Sequence, residues 1–221
     1  MNGMLSPSLM CADLLNLQSD ITALDEAGVE YIHLDFMDGA FVPNITLDTT
    51  LIKRVKSVLK NMKRDIHIMA FHPEKYFDAM EIGTGDIVAV HLEACEDLHS
   101  VLSEIRGRNA KAFIAISPDT SAEVINDYIN EIDGVLVMTV YPGFAGQPLA
   151  EGSMEKIAKV RKIIDNSNSD IILEVDGHVS WDLCTEMKKN GADLFVAGSS
   201  SVFSGEYTLE ESVKRMKKLI S

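Results

Sequence analysis

The feature that most constrains this chain is alternation. Short runs rich in β-branched and aliphatic residues take turns with amphipathic stretches from one end of the sequence to the other. Strands are expected at residues 5–9, 31–35, 65–69, 87–91, 111–116, 134–140, 171–176 and 194–197. Helices are expected between and after them, at 14–27, 50–59, 73–80, 98–106, 122–130, 154–164, 181–189 and 209–219. In the first of these, Leu14, Leu17, Ile21 and Leu24 follow the helical period. Gly28 and Gly191 each stand where a helix gives way to the next strand. Eight strand–helix units in 221 residues is the count of a (β/α)8 TIM barrel near the lower end of its size range. A doubly wound open sheet also alternates in this way. However, no Gly-x-Gly-x-x-Gly follows the first strand. No linker, charge block or low-complexity tract interrupts the pattern, so residues 1–221 are expected to form a single α/β domain.

Charge narrows the partners. The formal net charge is −14, from 34 acidic and 20 basic residues, which leaves no basic footprint for nucleic acid. A small phosphorylated ligand stays open, because backbone N–H groups can hold a phosphate locally. The apolar runs are too short to span a bilayer, and Met1–Met4 starts no secretory signal. Cys11, Cys95 and Cys184 are odd in number and far apart, which suits reduced thiols in a cytoplasmic protein.

Chemistry-bearing residues cluster near the ends of expected strands. In the second strand, His33, Asp35 and Met37 share one face. A barrel strand is normally apolar on both faces, so an inward His and Asp need a reason. A buried His–Asp hydrogen-bonded pair would supply one, and so would a site. The third strand places His67 and Met69 on one face, repeating the pattern beside it. Two histidines converging with Asp35 resemble a set of metal ligands. Asp176 ends the seventh strand before Gly177, where a barrel presents catalytic groups, although an Asp-Gly turn would look the same. Pro142, Gly143 and Gly146 follow the sixth strand, and Gly198 and Ser199 follow the eighth. Singly each glycine reads as a turn. Together with Gly177 they outline a phosphate cradle of the kind barrels build after strands seven and eight.

With these stretches in view, the chain resembles the ribulose-phosphate 3-epimerase family, including its allulose-6-phosphate 3-epimerase branch. The resemblance is carried by SPSLMCADLL (6–15), HLDFMDGAFVPNIT (33–46), HIM (67–69), HLEA (91–94), MTVYPGFAGQP (138–148), EVDG (174–177) and AGSS (197–200). It implies that His33, Asp35, His67 and Asp176 bind one divalent ion, Zn²⁺ first, with Fe²⁺, Mn²⁺ or Co²⁺ as alternatives. Asp35 and Asp176 match the family's acid/base pair. Ser8, His67, Met37, Met69 and Met138 match substrate-contacting positions. Gly143, Phe144, Ala145, Gly146, Gly177, His178, Gly198 and Ser199 fall on the phosphate-binding segments.

The implied activity is that of an isomerase inverting C3 of a ketose phosphate through a metal-stabilised cis-enediolate. The substrate pair is D-ribulose 5-phosphate and D-xylulose 5-phosphate, or D-allulose 6-phosphate and D-fructose 6-phosphate. A homo-oligomer that touches neither membrane nor nucleic acid goes with it. Four departures bear on the substrate. His178 stands where the family usually has a small residue, the loop reads Phe144-Ala145-Gly146 instead of Phe-Gly-Gly, Ala70–Pro73 follows the third strand, and SLMC with FAGQP resembles the allulose branch. If the His178 ring points inward it donates to phosphate, and if outward only its N–H matters. Two rivals remain. A decarboxylase of the orotidine-phosphate type needs Asp-x-Lys-x-x-Asp, but Phe36 and Met37 stand where the lysine would be. A non-catalytic sugar-phosphate-binding barrel would be favoured by loss of a ligand or acid/base residue, and none is lost.

Overall fold

The computed structural model describes residues 2–167 and 169–221. Eight parallel strands form one sheet: β1 (Met4–Pro7), β2 (Tyr31–Met37), β3 (Lys63–Met69), β4 (Ile87–His91), β5 (Lys111–Ile116), β6 (Gly134–Met138), β7 (Ile172–Asp176) and β8 (Leu194–Ala197). Their order is β1-β8-β7-β6-β5-β4-β3-β2. The two ends meet through a single parallel bridge between Ser8 and His33, so the sheet curls into a nearly closed (β/α)8 barrel. The helices are α1 (Leu17–Glu26), α2 (Thr49–Val55), α3 (Phe77–Met80), α4 (Leu98–Gly107), α5 (Ser153–Ser167), α6 (Cys184–Lys189) and α7 (Leu209–Leu219).

Both faces of each strand are buried, against different neighbours. Outward residues such as Ile32, Leu34, Ile66, Ile68, Leu173 and Val175 pack under the helices in the large core. Inward residues fill the barrel in layers. Tyr31, Ile87, Phe113, Leu136 and Leu194 make an apolar plug. Met37, Val42 and Met69 form a small cluster at the other end. Gly134 is dictated by the plug, because a Cβ there would sit 2.2 Å from the Phe113 ring.

The expected strands at 87–91, 111–116 and 194–197 match the observed bounds, and the others shift by a few residues. The first strand stops at Pro7, and Leu9–Cys11 makes a 3₁₀ turn. Helix α1 begins at Leu17, three residues later than the periodicity suggested. The Asp13 carboxylate accepts from the Leu15 N–H and from Asn16 Nδ2, closing a turn that leaves Leu14 and Leu15 exposed. The unit after β5 is a 3₁₀ run over Ala122–Asp127 in place of an α-helix. Among the described residues, no helix is long and apolar enough to cross a membrane.

One buried cation ties the outer layer together. Arg64, on the outward face of β3, is 1% exposed. Its Nε and Nη2 donate to the two oxygens of Asp86, at 3.0 and 2.5 Å. The remaining N–H groups reach the carbonyls of Ile52 within α2 and of Met80 and Glu81 at the C-terminal end of α3. Removing one member of such a pair strands the other charge, at about 3–5 kcal/mol. Arg64→Met should therefore lose stability on that scale in urea unfolding, and Arg64→Met/Asp86→Leu should recover part of it.

Candidate active site

The register of the sheet decides which polar groups meet. Asp35 pairs with His67 across β2 and β3, and His33 pairs with Asp65 one layer deeper. On β7, Asp176 lies level with Met138 of β6. All these side chains face inward, and they converge beside the seam where Ser8 bridges His33.

The deeper layer orients His33. Its Nδ1 lies 2.7 Å from Asp65 Oδ2, and that oxygen also accepts from Ser6 Oγ at 2.7 Å. An acidic partner on Nδ1 keeps the proton there and turns Nε2 towards the site. Nε2 is fully buried and makes no hydrogen bond. It lies 3.2 Å from Asp35 Oδ1 and 3.9 Å from Asp176 Oδ2. His67 Nδ1 faces the same two oxygens, at 3.3 and 3.6 Å. One donor atom from each of the four residues lies within 4.8 Å of the others. Tetrahedral ligands about 2.0–2.1 Å from a common zinc sit about 3.3 Å apart, so this spacing suits a divalent ion. The donor set suits one too, since two carboxylates and two imidazoles converge there and His33 aims a buried nitrogen without a hydrogen bond into their midst.

The two site carboxylates are in unlike electrostatic states. Burial raises Asp35, but His33 and His67 outweigh it and hold the carboxyl well below the usual range. Ser8 Oγ donates to its second oxygen at 2.6 Å. Burial pushes Asp176 up to about 7, opposed by His33 and reinforced by the charges of Asp35 and Asp65. Below them, burial and then the Asp65 charge push Glu174 well above the carboxylate range.

The site opens into a cleft. Its lining includes Ser8, Asp35, Met37, Met69, Met138, Gly143, Phe144, Ala145, Gly146, Asp176, Gly177, His178, Gly198 and Ser199. Every site residue expected from the sequence is thus on the cleft wall except His33 and His67, which are fully buried behind the carboxylates. Gly177 is required by its surroundings: φ is +112°, and a Cβ would sit 2.8 Å from the Val140 nitrogen. Thr139 pins the same corner, its N–H and Oγ both donating to the Asp176 carbonyl.

His178 turns its ring towards the neighbouring loop. With φ +48°, it donates from Nδ1 to the Gln147 carbonyl at 2.8 Å. Gln147 Nε2 donates to the carbonyls of Tyr141 and Phe144, and Asn44 Nδ2 donates to that of Gly143. The glycine loop is therefore held from three directions.

Sequence reasoning missed several residues. Met10, Cys11 and Gln147 also line the cleft. His91, at the end of β4, is fully buried with its Nε2 2.9 Å from His67 Nε2. Glu93 stands behind it. Burial pushes His91 down to about 4, so the ring is neutral near pH 7. Burial raises Glu93, but His91, Thr120 and the Ser117 N–H outweigh it and hold the carboxyl at about 2. The available signal was a histidine at the top of an otherwise apolar strand.

Similarity to known proteins agrees with this geometry. The profile of the ribulose-phosphate 3-epimerase family matches residues 4–203. The chain belongs to that family. It is 36% identical to the ribulose-phosphate 3-epimerase of Bacillus subtilis (strain 168), covering 88% of this chain and 90% of that protein. It is 33% identical to the chloroplastic ribulose-5-phosphate-3-epimerase of Arabidopsis thaliana, covering 96% of this chain and 75% of that protein. Among solved structures, 3-hexulose-6-phosphate synthase superposes with a TM-score of 0.66 at 15% identity over 100% of both chains. Mycobacterium tuberculosis tryptophan synthase gives 0.67 at 14%, over 99% of this chain and 93% of that one. At such identities the likeness concerns the fold alone. Family membership makes the chain a sugar-phosphate epimerase, an isomerase.

The state of Asp176 has a measurable consequence. The free protein holds that proton up to about pH 7, and ligation must displace it. Zn²⁺ or Co²⁺ should bind more tightly at pH 8 than at pH 6, with proton release visible as a buffer-dependent heat in titration calorimetry. The metal-free fold should respond in the opposite sense. A carboxyl raised from 3.8 to about 7 stabilises the fold below about pH 4, and that contribution fades as the pH rises to about 7.

Proposed function

We propose that this chain is a divalent-metal-dependent 3-epimerase of a ketose phosphate, with D-ribulose 5-phosphate and D-xylulose 5-phosphate as the pair it interconverts. One observation carries the reading: Asp35 Oδ1 and Asp176 Oδ2 flank the same two imidazole nitrogens, which brings two carboxyls and a set of metal-ligand donors to one point beside the cleft. Two carboxyls at one reacting centre can serve as an acid/base pair. Epimerisation takes the C3 proton from one face and returns one to the other. A carboxylate must therefore receive a proton while a carboxylic acid stands ready to give one. In the reverse direction the roles exchange.

His33, Asp35, His67 and Asp176 would hold the ion, with Zn²⁺ best matched to two nitrogens and two oxygens and Fe²⁺, Mn²⁺ or Co²⁺ also acceptable. Bound there, a divalent cation stabilises the negative charge that develops on the substrate oxygens as C3 loses its proton. Ser8 holds the outer oxygen of Asp35, which fixes how that carboxyl meets C3. Met37, Met69 and Met138 line the cleft with apolar, polarisable surface that excludes water and offers no competing acid. Residues 143–147, 177–178 and 198–199 on the same cleft would receive the phosphate through backbone N–H groups.

A hexulose 6-phosphate is the second reading, favoured by Ala145 and by the His178 ring at the glycine loop, where both relate to how deep a phosphate sits. The deciding experiment assays ribulose 5-phosphate and allulose 6-phosphate side by side with the metal-loaded protein. Turnover of neither, or full turnover in a verified metal-free sample, overturns the proposal. Asp176→Asn should lose epimerisation by several orders of magnitude while Asp35 still exchanges the C3 proton of one epimer with deuterated water. Metal content measured on the same sample separates loss of the acid/base group from loss of the ion. His178→Gly should raise KM and shift the pentulose-to-hexulose preference, because it releases Gln147 from the β7 corner.

A further inference from the structure

We propose that Glu93 and His91 form a positioning relay that fixes the tautomer and direction of His67 from behind, and so set how tightly the site holds its ion. The proposal rests on the metal-dependent reading of the site and adds residues that touch neither substrate nor metal. His67 presents Nδ1 to Asp35 and Asp176, at 3.3 and 3.6 Å. A nitrogen that binds a metal must be unprotonated, so the His67 proton belongs on Nε2. That Nε2 lies 2.9 Å from His91 Nε2, which must then accept. The His91 proton is left on Nδ1, 3.1 Å from Glu93 Oε2. Each assignment forces the next, and the chain ends on a carboxylate.

The carboxylate is itself anchored. Glu93 Oε1 accepts from the Ser117 N–H at 3.0 Å and from Thr120 Oγ1. Both partners lie beyond the end of β5, so two strand ends hold the relay. The His67 and His91 rings lie 5.0 Å apart at 31°, and Phe41 closes over His91 at 4.8 Å. His91 is fully buried, and the described structure gives it no role in the apolar plug. It is the counterpart of the Asp65–Ser6 pair behind His33. Each ligand imidazole thus has an acidic partner behind it, directly for His33 and through a second ring for His67.

The test compares Co²⁺ binding to the full chain and to three variants, against a competing chelator, with the visible Co²⁺ spectrum recorded. Thermal melts of the metal-free proteins check folding. His91→Gln keeps an amide oxygen close to where Nε2 accepts, whereas His91→Leu fills similar space with no acceptor. Glu93→Gln leaves His91 intact and, with Glu93 partly exposed, is the variant least able to disturb folding. The relay predicts that His91→Leu and Glu93→Gln weaken Co²⁺ binding about 10–100-fold and shift its spectrum. It predicts that His91→Gln stays close to the parent. Equal affinities for His91→Leu and His91→Gln, or parent-like binding by Glu93→Gln, overturn it. Failure of the parent chain to bind Co²⁺ would be a different result, since that removes the metal-dependent reading itself.

Discussion

The structure is organised around the burial of acids on the barrel axis. Asp35, Asp65 and Glu174 are nearly or wholly inaccessible, Asp176 is only partly exposed, and all four surround His33. Taking such groups out of water is costly unless they are paired, protonated or bound to a cation. The fold uses the first two. Asp65 is paired with His33 and Ser6, and burial with the Asp65 charge pushes Glu174 towards its neutral form. Above them Asp35, Asp176 and the inward nitrogens of the two histidines converge, with His33 Nε2 buried and without a hydrogen bond, and that set of donors is the physical case for a divalent ion.

Around this cluster the barrel is divided by chemistry along its axis. The plug below, with the Phe113 ring against Gly134, is apolar and closely packed. The polar layer sits above it, and the methionine-lined cleft above that. Closure of the barrel and assembly of the site are the same event, because the Ser8–His33 bridge joins the first and second strands. Ser8 then reaches Asp35 from the far side of that seam. A barrel that failed to close there would leave one oxygen of Asp35 without its donor.

The loops proposed to receive the phosphate depend on a different device. Residues 143–147 carry glycines that set no shape of their own, and their shape comes from outside. Asn44, His178 and the Gln147 side chain each bind a loop carbonyl. The His178 hydrogen bond links the end of β7 to the loop after β6, the two segments between which a phosphate would lie.

The sequence by itself determined the eight strands, the inward face of β2 and β3, and the place of His33, Asp35 and His67 on it. These are legible because a strand's period of two assigns each residue to a face without reference to any partner. Asp176 was legible as the end of a strand before Gly177, and its grouping with the other three only through the resemblance to the family. Where local turn chemistry competed with periodicity, as at Asp13 before α1, the reading slipped by a few residues. Only the tertiary structure decided the second layer of the site. Asp65 behind His33, and Glu93 behind His91 behind His67, are contacts between residues on different strands and loops. Their meaning depends on sheet register and side-chain direction, and a one-residue slip in register would send each of them to the opposite face. The upward shift of the Asp176 and Glu174 carboxyls belongs to the same class, since it arises from burial and neighbouring charge that exist only once the barrel has closed.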